Sequence, residues 1–184
     1  MRDKGFTLVE LMVTITIVAI LAAVSIPTFR TYINRSKTSE ATTNLRHLYI
    51  GAATYYQLTK PGQGKGQPEN WHCIISKSKT IPLKPPAATK ELGDYRSDDS
   101  FYAAGFMPTE AMYFSYVIDS SGSSCNAGHP NGTSVYSFRA IGDLDGDKDY
   151  SLIELSAGLI YWQGTSGEKI LKKSSMFYME EEGE

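Results

Sequence analysis

From Phe6 to Ile26 the chain is an almost unbroken run of Leu, Ile, Val, Ala, Met and Thr, apart from Ser25 and one carboxylate, Glu10. As a helix, a run of roughly 21 residues reaches about 30 Å, the thickness of a bilayer's hydrocarbon core. A stretch of this kind crosses a membrane, packs among similar helices, or is cut away. A charged side chain inside a membrane helix costs roughly 2.5–3.5 kcal/mol on insertion scales, so such a residue marks function and needs a partner. Ahead of the run stand a short polar segment, Met1, Arg2, Asp3 and Lys4, and then Gly5.

The residues around this run resemble the class III signal peptide and N-terminal segment of the type IV pilins and their relatives, the pseudopilins. The resemblance rests on Gly5, Phe6, Thr7-Leu8-Val9-Glu10-Leu11-Met12, Pro27, and Arg35-Ser36-Lys37 to Glu40-Ala41. It covers residues 1 to about 56 and the remainder only in general layout. It implies that a prepilin peptidase cuts after Gly5 and methylates Phe6, with Glu10 and Pro27 serving assembly. It also implies a pool in the inner membrane, assembly machinery there, and a helical homopolymer that becomes an extracellular pilus for adhesion and twitching motility. The expected organisation is a leader over residues 1–5, a helix over 6–56 with 6–26 as membrane or filament core, and a globular head over 57–184.

Two plainer readings compete. An ordinary secretory signal would be cut after its apolar core, near residues 21–25. A simple membrane anchor would leave Glu10 unexplained.

Cleavage after Gly5 gives Phe6 an α-amine that is ordinarily positive at neutral pH. In a bundle, the Glu10 carboxylate of one subunit can meet the amine of the next, and opposite charges attract strongly where the dielectric is low. That pair would set the register of helices whose apolar surfaces alone could slide. The alternative is a protonated Glu10 bonded to its own helix through Thr7 or Thr14.

At 184 residues the chain holds one globular domain plus an anchoring helix. Its net charge is −2, with the basic residues scattered, which gives no support to nucleic acid as a partner. Its two cysteines, Cys73 and Cys125, read in an exported body as one disulfide closing a long loop. Two free thiols in a reducing compartment are the alternative. His47, His72 and His129 lack metal-ligand spacing, and no nucleophile elbow, phosphate loop or dinucleotide fingerprint is present. The chain therefore reads as no enzyme.

After Pro27, which interrupts the helical hydrogen bonds, Phe29, Tyr32, Ile33, Ala41, Leu45, Leu48, Tyr49 and Ala52 recur at helical spacing. Residues 57–108 have no sustained periodicity. They contain breaker clusters at 61–68 and 82–86 and read as an ordered loop pinned by Trp71 and Cys73. Strands are expected over 111–118, 135–141 and 150–155, with a fourth over 159–163. In the second, Tyr136, Phe138 and Ala140 share one face, with Ser137 and Arg139 on the other. A turn over 119–133 carries Cys125, and the acidic end, 180–184, reads as solvated. The fold class is α+β, a long N-terminal helix packed on a C-terminal antiparallel sheet.

The stretch Asp143, Asp145, Asp147, Asp149 and Glu154 places carboxylates at positions 1, 3, 5, 7 and 12, the oxygen spacing of a calcium loop. Lys148 stands where that loop has glycine, and the flanks read as strands, so an EF-hand does not fit. The plain reading is a solvated turn using Asp-Gly chemistry.

Three functions compete: a pilus subunit, a pseudopilin of a type II secretion system, and a membrane-tethered calcium-dependent binding domain. The paired cysteines and the longer loop favour the pilus subunit over the pseudopilin. The third reading differs from both in predicting that Glu10→Ala leaves surface display intact.

Overall fold

The computed structural model describes residues 5–58, 72–122, 125, 132, 134–161, 169–174 and 176–180. Its first helix, α1, runs over Leu8–Gln57 and passes through Pro27 without interruption. The chain forms two compact units that divide within this helix, residues 1–38 and 39–184.

In the first unit every residue from 8 to 20 of the helix is exposed, and so are Phe29 and Tyr32 further on. The apolar stripe expected to pack on a body therefore does not begin at Phe29. It begins at Ala41. The threonines of the apolar run satisfy themselves locally. Thr14 donates its hydroxyl to the Leu11 carbonyl, and Thr16 to that of Met12. Thr28 donates to Val24, one turn back, beside the place where Pro27 supplies no N–H. Hydroxyls bonded in this way cost little in a medium without water.

The second unit is a five-stranded antiparallel sheet with the helix residues 39–57 packed on it. The strands are β1 (Ser115–Ser120), β2 (Ser134–Gly142), β3 (Ser151–Tyr161), β4 (Lys169–Lys173) and β5 (Tyr178–Glu180). The order is β1-β2-β3-β4, and β5 also pairs with β3. β4 takes residues 157–161 of β3 and β5 takes 152–154. Ala41, Leu45, Leu48, Ala52 and Tyr56 are buried, a stripe at spacings of three and four. They meet Tyr116, Ile118, Tyr136, Phe138, Ile153, Leu155 and Leu159 from the sheet in one core. On β2 the expected alternation holds: Tyr136, Phe138 and Ala140 are buried, while Ser137 and Arg139 are half-exposed.

Polar contacts fix the helix on this body. Glu40 accepts from the Tyr113 backbone N–H and from the Lys90 ammonium, each at 2.9 Å. The Asn44 amide donates to the Tyr116 hydroxyl at 2.8 Å. Gly51 lets the chain at Ala104 approach so closely that a methyl group there would lie 1.8 Å from the Ala104 carbonyl oxygen. A side chain at position 51 would force the two apart.

Several elements differ from expectation. The first strand is Ser115–Ser120, shifted from 111–118. The two strands expected over 150–155 and 159–163 are one, β3, because alternate burial continues through Ser156, Ala157 and Gly158. β4 and β5 were not expected. The loop after the helix is ordered over 72–108 and contributes Ile74, Ile75, Tyr95, Phe101 and Phe106 to the core. It also holds a 3-10 turn, Tyr95–Ser97, and a short helix, α2 (Asp99–Ala103), whose start Asp98 caps by accepting from the Ser100 N–H. Trp71, the cluster 61–68, most of the turn 119–133 and the end 181–184 lie outside the described residues. Glu180 closes β5.

Candidate functional site

Gly5, Phe6 and Thr7 precede α1 in non-helical backbone and are all exposed. The Gly5–Phe6 bond is thus open to an attacking peptidase without unwinding of the helix.

Thr7 and Glu10 then form a reciprocal cap. The Thr7 hydroxyl oxygen accepts from the Glu10 N–H at 3.3 Å. Glu10 Oε2 accepts from the Thr7 N–H at 2.9 Å and from its hydroxyl at 2.7 Å. This is the capping box, which satisfies two of the N–H groups that every helix start leaves open. A carboxylate here is also favoured by the helix dipole. Of the two helix-internal partners read from the sequence, Thr7 is the one that bonds to Glu10. Both side-chain bonds fall on Oε2, and Oε1 has no partner among the described residues. The arrangement is therefore a carboxylate held at the head of an exposed apolar helix with one oxygen free to accept. Thr7, and not Thr14, is thus the partner that fixes the carboxylate. The signal for it was the Thr-x-x-Glu spacing immediately before an apolar run.

Cys73 and Cys125 are joined in a disulfide across 52 positions. A loop of that length contributes about 4 kcal/mol by the chain-entropy argument. The bond ties the buried segment that follows the helix to the connection between β1 and β2.

The acidic stretch is the connection between β2 and β3. Asp143, Asp145 and Asp147 each offer a carboxylate oxygen within 4.8 Å of the others. Asp149 and Glu154 lie outside that group. Asp143 is buried, and its two oxygens accept from the Gly146 N–H at 2.7 Å and the Lys148 N–H at 3.2 Å. Asp145 and Asp147 each accept from the backbone two residues on. Gly146 and Lys148 both have positive φ, so Lys148 takes a conformation that glycine would adopt more readily. Glu154 lies on β3 opposite Arg139 and accepts from the Ser156 hydroxyl. The turn is thus held by its own carboxylates, and three of them present hard oxygen atoms at one place.

Residues 1–26 match the family described as the prokaryotic N-terminal methylation motif. The chain is 49% identical over 55 residues to the type IV major pilin protein PilA of Myxococcus xanthus, a match covering 30% of this chain and 25% of that one. It is 47% identical over 58 residues to the fimbrial protein EcpC of Eikenella corrodens, covering 32% and 37%. It is 58% identical over 39 residues to the type IV major pilin protein PilE of Neisseria gonorrhoeae, covering 21% and 23%. No solved structure matches the chain. The chain thus spans 23–37% of the length of these curated relatives. The family match and the curated relatives support the resemblance to type IV pilins read from the sequence.

Proposed function

We propose that this chain is a structural subunit of a type IV pilus, stored in a membrane by its N-terminal helix and then assembled through it. One observation carries the reading: an exposed apolar helix surface, headed by a capped carboxylate one of whose oxygens has no partner among the described residues. Moving that surface from lipid into a bundle gains little hydrophobic free energy, so packing and the polar contact must give specificity. Glu10 accepts from the Phe6 amine of the neighbouring subunit once a prepilin peptidase has cut after Gly5. The precursor sits in the inner membrane among the assembly machinery, and the product is an extracellular filament for adhesion and movement. The role is structural and not catalytic. The named relatives, pilins and fimbrial proteins, favour a pilus over a secretion pseudopilus.

Electron microscopy of filaments sheared from cells, with antibody against residues 39–184, tests this. Labelling along the length of surface fibres is expected. Label confined to short periplasmic assemblies would assign the chain to a pseudopilus instead.

The convergence of Asp143, Asp145 and Asp147 supports calcium as a ligand of the head. Calcium takes six to eight oxygens, so water or backbone carbonyls would complete the shell. Calcium titration of the full chain in detergent should raise its melting temperature by several degrees. The double variant Asp145→Asn, Asp147→Asn should lose that response. An equal response in wild type and variant would remove calcium from this loop.

A further inference from the structure

We propose that the helix just beyond the apolar run is a binding site for anionic phospholipid, with Arg30 and Arg35 each holding the headgroup phosphate of one lipid. The inference rests on the membrane-stored state proposed above, though not on the filament.

The apolar run ends at Ile26, and a shallow groove on the helix surface follows, lined by Val24, Ile26, Phe29, Arg30 and Tyr32 among others. Helical spacing sets two largely apolar rows here, roughly 140° apart around the helix, each ending in a guanidinium; Ala22 precedes Ile26 by one turn in the first. Ile26 is followed four residues on by Arg30. Val24, Thr28 and Tyr32 are followed three residues on by Arg35. Arg30 lies about 6 Å beyond the end of the run and Arg35 about 13 Å beyond it, at 1.5 Å per residue. The headgroup layer is roughly 5–8 Å thick on each side. Helix side chains lean toward the N-terminus, so both guanidiniums point back toward that layer. Phe29 and Tyr32 are exposed at the same level, as aromatic residues at a membrane interface are.

Charge selects the occupant. No Asp or Glu occurs between Glu10 and Glu40. Arg30 and Arg35 make no ion pair among the described residues, and Glu40 is engaged by Lys90. With the head exported, these cations stand on the outer side, against the bias that keeps Lys and Arg on the cytoplasmic side of a span. A phosphate at that surface offsets this. Guanidinium suits it because its fork donates two parallel hydrogen bonds to phosphate oxygens. The apolar rows take the acyl chains.

The test uses the full chain in nanodiscs of equal phosphatidylglycerol and phosphatidylcholine, followed by native mass spectrometry of released complexes. Retained phosphatidylglycerol is expected over phosphatidylcholine. The preference should fall about fivefold for each of Arg30→Gln and Arg35→Gln, following the typical contribution of one cation at an anionic surface. Lys84→Gln in the head should leave it unchanged, and so should Glu10→Ala, which separates this site from the filament contact. Equal retention of the two lipids would overturn the proposal. So would an unchanged preference in the double arginine variant, or release as a lipid-free dimer, which would show that a second helix covers this face.

Discussion

Replacing Glu10 by glutamine should abolish filaments as completely as replacing it by alanine should. The two variants separate the two roles the structure gives this side chain. Alanine removes the capping box with Thr7 as well as the charge, and loss of a cap alone costs about 1 kcal/mol of helix stability. Glutamine keeps the cap, since an amide oxygen accepts from the Thr7 N–H and hydroxyl as a carboxylate does. What it lacks is the negative charge that answers the neighbour's amine. A hydrogen bond to a charged group is worth about 2 kcal/mol, roughly thirtyfold for each contact, and the contact recurs at every subunit. Sheared-filament yield should therefore fall below detection for both, with normal amounts of subunit in the membrane fraction. Wild-type filament yield from Glu10→Gln would reduce Glu10 to a helix cap and remove the charge pair from the account.

The head should lose stability steeply above about pH 10. Tyr95, Tyr116 and Tyr136 are buried, and burial pushes each hydroxyl's pKa above its ordinary value near 10. Each is also bonded. Tyr95 donates to the Ile81 carbonyl at 2.6 Å, Tyr116 accepts from the Asn44 amide, and Tyr136 accepts from the Ile75 N–H at 2.6 Å. In the unfolded chain these phenols release their protons near pH 10, whereas in the folded chain they keep them. Above that pH the unfolded state binds fewer protons, so stability falls as pH rises, while below it the three contribute fully. Each group gives about 1.4 kcal/mol per pH unit, so together they give about 4 kcal/mol per unit. Thermal unfolding followed by circular dichroism from pH 8 to 12 should show a plateau and then this fall. Tyr95→Phe should make the fall shallower by about a third. A flat profile through pH 11 would mean that these hydroxyls ionise in the folded protein.

The helix was legible because its signals are long. The 21-residue apolar run and the stripe from Ala41 to Ala52 each restate the same pattern turn after turn, so single exceptions such as Glu10 and Ser25 do not obscure it. Its boundary with the packed portion was not legible, because Phe29, Tyr32 and Ile33 keep helical spacing whether they meet lipid, another helix or the sheet. Glu10 was singled out as a charge in an apolar place. Its bond to Thr7 follows from the Thr-x-x-Glu spacing rather than from charge. Between the expected strands 150–155 and 159–163, Ser156, Ala157 and Gly158 are small residues with little strand preference of their own. In the sheet the same residues lie in a ladder, with Ala157 facing the core. β4 and β5 are short edge segments of five and three residues, too brief for alternation to register. The carboxylates at 143, 145 and 147 were read from spacing and do converge. Glu154 matched the same spacing, but an extended strand carries it away from the turn where a helix would have returned it.

Mass spectrometry of the amino terminus of subunits taken from purified filaments tests the central claim most directly. The expected result is a chain beginning at Phe6 with a methylated amine, the group that Glu10 of the adjoining subunit receives. A chain beginning at Met1, or beyond Ala23, would contradict it, since neither carries a free amine where that carboxylate could meet it.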